Sequence, residues 1–447
     1  MTERRGAEFG PLLGRLRGKA WVRVGKNTLA LLVAQVGARA LNLGMVALIA
    51  RGLGARGLGR YLAAMTVQAV ALAVSDLGLN TYVVRELSRA DGMAAGLWPS
   101  AVRLKLACAL GAVLVLNVLV APLSAGRGLL VRIVSLSLLP DAFNALATAR
   151  IKARQRMEVS AGILLGIRLA YVVSGALLLW RGYDERALLA AYGGVSLLGS
   201  LAFARALSRW ARLREPSSEP GTHKGWREVL GASMPFAVTG SAAILYTRAD
   251  LLILSWLQGD AVAGRYGMAY RLWEAMGMIP ASFLDALLPE LSRQGGPLAE
   301  PGRLRALYRR AWQVMGAGAV LLSVATQLVA GPVMLVLYGR SPDTLDAVSV
   351  LRVLLLAFPF TYLYLLNGHA LYAAGREQRV TVAMVIVTAV KLLSDAWAVP
   401  RWGTAGAARA ALASEVLLYG CLQWLVWRSV LRLPQEGGQG SEGANAG

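Results

Sequence analysis

Residues 57–89 read GLGRYLAAMTVQAVALAVSDLGLNTYVVRELSR, an apolar run over about 61–84 framed by Arg60 on one side and Arg85 on the other. A continuous run of this length is what a helix needs to cross the hydrocarbon of a bilayer, whereas a barrel strand would alternate over about ten residues. The stretch also has an echo. GLGRYLAAM at 57–65 recurs as VAGRYGMAY at 262–270, and RELSR at 85–89 recurs as PELSR at 289–293, at offsets of 205 and 204 residues. Two offsets that agree within one residue point to an internal duplication.

Working outward, runs of spanning length lie at about 28–50, 61–84, 98–121, 129–148, 159–180 and 187–207, and then at about 230–257, 264–288, 308–330, 345–368, 380–399 and 404–427. The expected fold is therefore an all-α polytopic membrane protein of about 12 transmembrane helices. Six spans are an even number, so both halves enter the membrane from the same side. The repeat predicts two parallel six-helix lobes around a central cavity, related by an axis along the membrane normal. The expected organisation is a basic amino-terminal segment at 1–27, an N-lobe at 28–207, a linker at 208–229, a C-lobe at 230–430 and a disordered tail at 431–447.

Composition agrees with a membrane protein. Of 447 residues, 56% are hydrophobic and 16% charged, and the mean hydropathy is +0.52, which sets aside most soluble enzymes. The formal charge of +22 would suggest nucleic acid in a soluble chain, but its placement argues otherwise. Thirty Lys and Arg lie at the amino end, the even junctions and the carboxyl end, while the odd junctions hold nine: Arg51, Arg56, Arg60, Arg127, Arg181, Arg186, Arg265, Arg340 and Arg401. By the positive-inside rule both termini are expected in the cytoplasm, with the basic loops meeting anionic membrane lipids and no nucleic acid involved. The first 27 residues lack a short apolar core followed by a cleavage site, so no cleaved signal peptide is expected.

Several apparent motifs carry no chemistry. Gly52, Gly54 and Gly57 match G-x-G-x-x-G, but they follow a membrane span rather than a strand and read as an outer turn. No phosphate-binding loop occurs, Cys108 and Cys421 sit inside apolar runs, and His223 and His369 are isolated. No cofactor, metal or enzymatic activity is expected. Pro235, Pro280, Pro289 and Pro359 fall in or at the ends of spans, where they can kink helices.

The informative residues are charges inside spans: Arg39, Arg132, Arg168, Arg248, Arg271, Arg352, Lys391 and Arg409. Each would cost roughly 2.5–3.5 kcal/mol at a lipid-facing helix centre, so those at depth must face protein or water. Arg271 and Glu274 are spaced i,i+3 and Lys391 and Asp395 i,i+4, each pair on one helix face. Arg248 and Asp250 are two apart and point about 200° away from each other, so each needs a partner elsewhere. Arg39 and Arg168 have no acid at helical spacing. These cations either line a hydrated cavity or pack between helices. Asn42 lies one turn from Arg39. Asp76, in SDLGLN, suits a packing, gating or ion-coupling role, and Asp141, Asp285 and Glu415 are further acidic candidates for carrying a proton or sodium ion.

In pattern the chain resembles the Wzx-like polysaccharide flippases of the multidrug/oligosaccharidyl-lipid/polysaccharide (MOP) exporter superfamily. The likeness rests on ARGLGARGLGRYLAAMTVQAVALAVSDLGLNTYVVRELSR at 50–89, LYTRADLLIL at 245–254, AGRYGMAYRLWEAMGMIP at 263–280 and LLPELSR at 287–293, and extends loosely over about 25–430. The resemblance implies export of an oligosaccharide linked to an isoprenoid diphosphate of the undecaprenyl type, from the cytoplasmic to the outer leaflet of a bacterial inner membrane. Such a protein would serve lipopolysaccharide or exopolysaccharide assembly by alternating access, with H+ or Na+ as coupling ion. It also implies polar, cavity-facing roles for Arg39, Arg248 and Asp250. With twelve spans, the chain lacks the extra pair that forms a lipid-tail groove in the MurJ-type branch. The alternatives are a multidrug or metabolite cation antiporter of the same superfamily and a membrane glycan polymerase or ligase.

Overall fold

The computed structural model describes residues 9–89, 97–124, 126–154, 156–212, 225–277, 280, 283, 284, 287 and 302–431, with side chains from Val36 onward apart from those of residues 210–212, 235, 303 and 430. Most of the basic segment 1–27 has backbone but no side chains described. Much of the linker at 208–229, nearly all of the tail at 431–447, Asp285 and the PELSR repeat at 289–293 lie outside these residues.

Every regular element among the described residues is helical. In chain order they are α1 (Phe9–Asp76), α2 (Leu79–Arg89), α3 (Leu97–Val115), α4 (Gly128–Ser135), α5 (Leu138–Ala153), α6 (Met157–Trp180), α7 (Glu185–Arg212), α8 (Trp226–Leu257), α9 (Asp260–Met276), α10 (Arg303–Tyr338), α11 (Pro342–Leu355), α12 (Phe358–Ala373) and α13 (Glu377–Val426). Among the described residues eight helices are long and apolar enough to cross a membrane, and α11 with α12, bent by 44°, makes a ninth span. Two of the eight are double. Val36–Asp76 has 41 residues and Glu377–Ser429 has 53, about twice the ~20 that a bilayer requires. Each is folded at a non-helical glycine, Gly54 (φ 68°) and Gly403 (φ 54°). Counting each arm, and adding α9 as the eighth span, gives the twelve spans expected from the sequence.

The duplication is visible in the backbone. Gly54 has φ 68° and ψ −176°, and Gly259, 205 residues later, has φ 92° and ψ 170°. Both are positive-φ positions that glycine alone enters without steric cost, and both turn the chain from the first span of a lobe into the second. Four to five residues on, the two second spans cross. A Cβ on Gly59 would lie 1.8 Å from the carbonyl oxygen of Asp260, and one on Gly264 would lie 1.9 Å from that of Ala55. The pairs 55/260 and 59/264 keep the same offset, so the crossing maps onto itself under the two-fold relation of the lobes. Close backbone approach through small residues is how helices associate where lipid offers no hydrophobic drive.

Ionic contacts surround this crossing. Arg60 bonds Glu185 (3.2 Å) and Asp260 (3.4 Å), the first residues of α7 and α9, and Arg127 reaches Asp260 at 2.8 Å. Arg51 Nε donates to the Leu337 carbonyl at 2.9 Å. Contacts from Arg60, Arg127 and Arg51 thus tie the lobes together at the glycine-turn end of the bundle.

The fourth and tenth spans are broken at matching places, between α4 and α5 and between α11 and α12. Proline follows each break, Pro140 and Pro359, and its missing N–H frees the carbonyl four residues earlier. For Pro359 that carbonyl is Leu355, which instead accepts from Ser323 Oγ at 2.7 Å. The second span also differs from the single run read in the sequence. It stops at Asp76, passes through Leu77 (φ 46°) and Gly78 (φ 73°), and resumes as α2.

The crossing can be tested by overpacking it. Gly264→Val should destabilise the detergent-purified protein by about 1–3 kcal/mol in thermal unfolding, because the carbonyl it meets is backbone and cannot rotate away. Gly162→Ala, where nothing lies within 4 Å, should be neutral or slightly stabilising.

Candidate functional site

Three arginines meet at one glutamate between the lobes. Glu274, on α9, accepts from Arg271 Nη1 at 2.8 Å with one carboxylate oxygen and from Arg248 Nη2, on α8, at 2.7 Å with the other. Arg39, on the first arm of α1, donates to the Glu274 backbone carbonyl at 3.1 Å. Three cations against one carboxylate leave an excess of two positive charges. The Arg248 Nε hydrogen is buried with no acceptor among the described residues. Such a group gains strongly from an anion, because an unmet buried donor carries its full desolvation cost.

Arg248 and Arg271 line a cavity of about 660 Å³ together with Asn42 and Arg168. Arg168 has no hydrogen-bond or ion-pair partner among the described residues. The lining reaches Lys152 and Val84 at the end of the bundle away from the glycine turns. The N-lobe adds further polar groups to the lining: Gln68, Asp141, Asn144 and Tyr192.

A second cluster is sealed inside the C-lobe. Asp250 points away from Arg248, as their two-residue spacing requires, and pairs with Lys391 through Oδ1 while Oδ2 accepts from Tyr266 Oη at 2.7 Å. Lys391 also bonds Asp395 Oδ2 at 2.9 Å, and Asp395 Oδ1 is buried without a partner among the described residues. The three side chains are 3%, 4% and 0% exposed. Glu415 is buried beside them, accepting from Tyr246 (3.0 Å) and Thr361 (2.7 Å).

The structure therefore divides the residues singled out by sequence into three places. Asn42, Arg168, Arg248 and Arg271 face the cavity, with Arg39 and Glu274 joined to them. Asp250, Lys391 and Asp395 form the C-lobe cluster. Asp76 belongs to neither, since it pairs with Lys105 on α3 and does not line the cavity. Lys105 is fully buried, although its position near Arg103 groups it with the loop charges in the sequence. Its place eight residues into the apolar stretch of α3 was the available signal. Among the described residues no group of His, Cys, Asp and Glu is arranged to hold a metal.

Two related helical lobes around a cationic cavity make a fold shared with solved membrane transporters. Among solved structures the chain is similar to the lipid II flippase MurJ in an inward closed conformation, at 16% identity and TM-score 0.75 over 89% of this chain and 87% of that one. It is similar to an inward-facing multidrug resistance MATE family transporter of the MOP superfamily, at 12% identity and TM-score 0.72 over 90% and 98%. A MOP superfamily transporter from Pyrococcus furiosus matches at 13% identity and TM-score 0.63 over 90% and 94%. No curated protein sequence matches the chain. The family model for polysaccharide biosynthesis proteins matches residues 24–294, and the chain belongs to that family.

The C-lobe cluster predicts an asymmetry in stability. Lys391→Ala, which strands two buried carboxylates, should cost about 3–5 kcal/mol, whereas a triple variant Asp250→Asn, Lys391→Met, Asp395→Asn should recover most of it. Thermal unfolding of the purified variants measures both.

Proposed function

We propose that the protein is a bacterial inner-membrane flippase for an isoprenoid-diphosphate-linked oligosaccharide, moving it from the cytoplasmic to the outer leaflet by alternating access. The observation that carries this reading is the convergence of Arg39, Arg248 and Arg271 on one glutamate at the cavity. A diphosphate brings about two negative charges, which match the excess left by Glu274, and guanidinium groups bind phosphate oxygens bidentately. Arg168, free and facing the cavity, adds a cation for the same headgroup. With both termini in the cytoplasm, the cavity lining leads toward the cytoplasmic side and the Gly59/Gly264 crossing closes the outer side.

Release requires that the cations be withdrawn or screened. Asp250 lies two residues from Arg248 on α8, so uptake of H+ or Na+ by the Asp250, Lys391, Asp395 and Glu415 group would move the same helix that holds the headgroup. Binding energy and ion binding are then coupled through one rigid element. A cation antiporter is the competing reading, and the C-lobe carboxylates favour it. The arginine excess at the cavity disfavours it, because it repels cationic cargo.

Leaflet exchange of a fluorescent isoprenoid-diphosphate oligosaccharide in liposomes tests the proposal. Arg39→Ala and Arg248→Ala should each slow exchange by roughly 10–100-fold, the value of a charge-assisted hydrogen bond, with folding retained. Full activity in the double variant, or gradient-driven uptake of cationic dyes without exchange, overturns it.

A further inference from the structure

The N-lobe wall of the cavity, which also carries Arg168, is built for a different task. Asp141 follows Pro140 at the broken fourth span, which turns α5 toward the cavity. Its Oδ2 accepts from Gln68 Nε2 and, at 3.0 Å, from Tyr192 Oη, and its Oδ1 accepts from Ser196 Oγ. No ion pair reaches it among the described residues. This carboxylate is held entirely by neutral donors, and Arg168, the unpaired cation of the same cavity, makes no ion pair with it.

The residues that follow on α5 extend the same surface. Asn144 and Thr148 lie three and seven positions on and share the face of Asp141. Asn144 Nδ2 donates to the Ser196 carbonyl at 3.1 Å, its Oδ1 accepts from Ser200 Oγ at 2.9 Å, and Thr148 Oγ1 is buried with no partner among the described residues. Tyr192 packs edge-to-face with Tyr171 at 5.4 Å beside them. A carboxylate, an amide and a hydroxyl in a row next to aromatic rings offer both donors and acceptors to vicinal hydroxyls, together with flat apolar faces for a pyranose ring. A diphosphate is repelled by the carboxylate and has no use for the ring faces.

We infer that this face of α5 is the glycan-reading subsite, and that Asp141 selects a neutral or amino sugar next to the diphosphate by excluding one that carries a carboxylate. The inference rests on the flippase reading above. Selection by repulsion suits the geometry, because in the flippase reading Arg168 is taken up by the diphosphate, so a second carboxylate at Asp141 would meet its like charge. Hydroxyl or ammonium groups would instead donate to the lone pairs that Gln68, Tyr192 and Ser196 leave free.

Two fluorescent isoprenoid-diphosphate disaccharides, identical except that C6 of the first sugar is a hydroxymethyl group or a carboxylate, separate the possibilities in liposomes. The wild type should exchange the neutral substrate at least about tenfold faster, the margin expected of a like-charge contact. Asp141→Asn should bring the two within about twofold by accelerating the acidic one. Thr148→Asp, which breaks no internal hydrogen bond, should widen the preference and carries the test if Asp141→Asn does not fold. Equal rates in the wild type, or an unchanged ratio in the variants, overturn the subsite while leaving the flippase reading intact. Exchange of neither substrate by the wild type overturns both.

Discussion

An ionised side chain within a bilayer must be answered by an opposite charge, a hydrogen-bond network or water, and that requirement shapes this protein. Glu274 answers it for three arginines at once, and by doing so ties α8, α9 and the first arm of α1 to one point. Lys391 answers it for Asp250 and Asp395 inside the C-lobe. At the glycine-turn end Asp260 does the same for Arg60 and Arg127. Since apolar contact gains little against lipid, these polar nodes and the small-residue crossings give the bundle its definite arrangement.

The lobes share a plan and diverge in chemistry. Matching glycine turns, matching breaks before Pro140 and Pro359 and a self-related crossing belong to the common plan. The buried polar groups do not repeat. In the N-lobe Asp141 is surrounded by hydroxyls and an amide and faces the cavity, whereas in the C-lobe the carboxylates face inward to a lysine. A duplicated frame with unlike interiors lets the two halves differ in chemistry without changing the architecture.

Much of the fold was legible because membrane spans announce themselves through length and hydropathy. Spans read at 380–399 and 404–427 correspond to the two arms of α13, and the Gly-rich turn around Gly54 is a turn rather than a nucleotide loop. The spacing of Arg248 and Asp250 also placed them on opposite faces. Sequence could not tell which faces meet. That Arg248 reaches Glu274 and Asp250 reaches Lys391 depends on how α8, α9 and α13 pack, which has no signature in a single helix. Lys105 was hidden because a charge near the start of a span looks like a loop charge. Asp141 was one acidic residue among several, since nothing local shows that Gln68, Tyr192 and Ser196 converge on it.

The crossing at Gly59 and Gly264 has a historical consequence. Because residue 55 meets 264 just as 260 meets 59, the contact is self-complementary, and a single ancestral helix with glycine at that position would form it with an identical copy of itself. A six-span ancestor that inserted in one orientation thus already possessed an isologous dimer interface along the membrane normal. Joining two copies into one chain would demand only a connector on the side of the termini, and it would free each half to accumulate its own polar interior around the same pair of glycines.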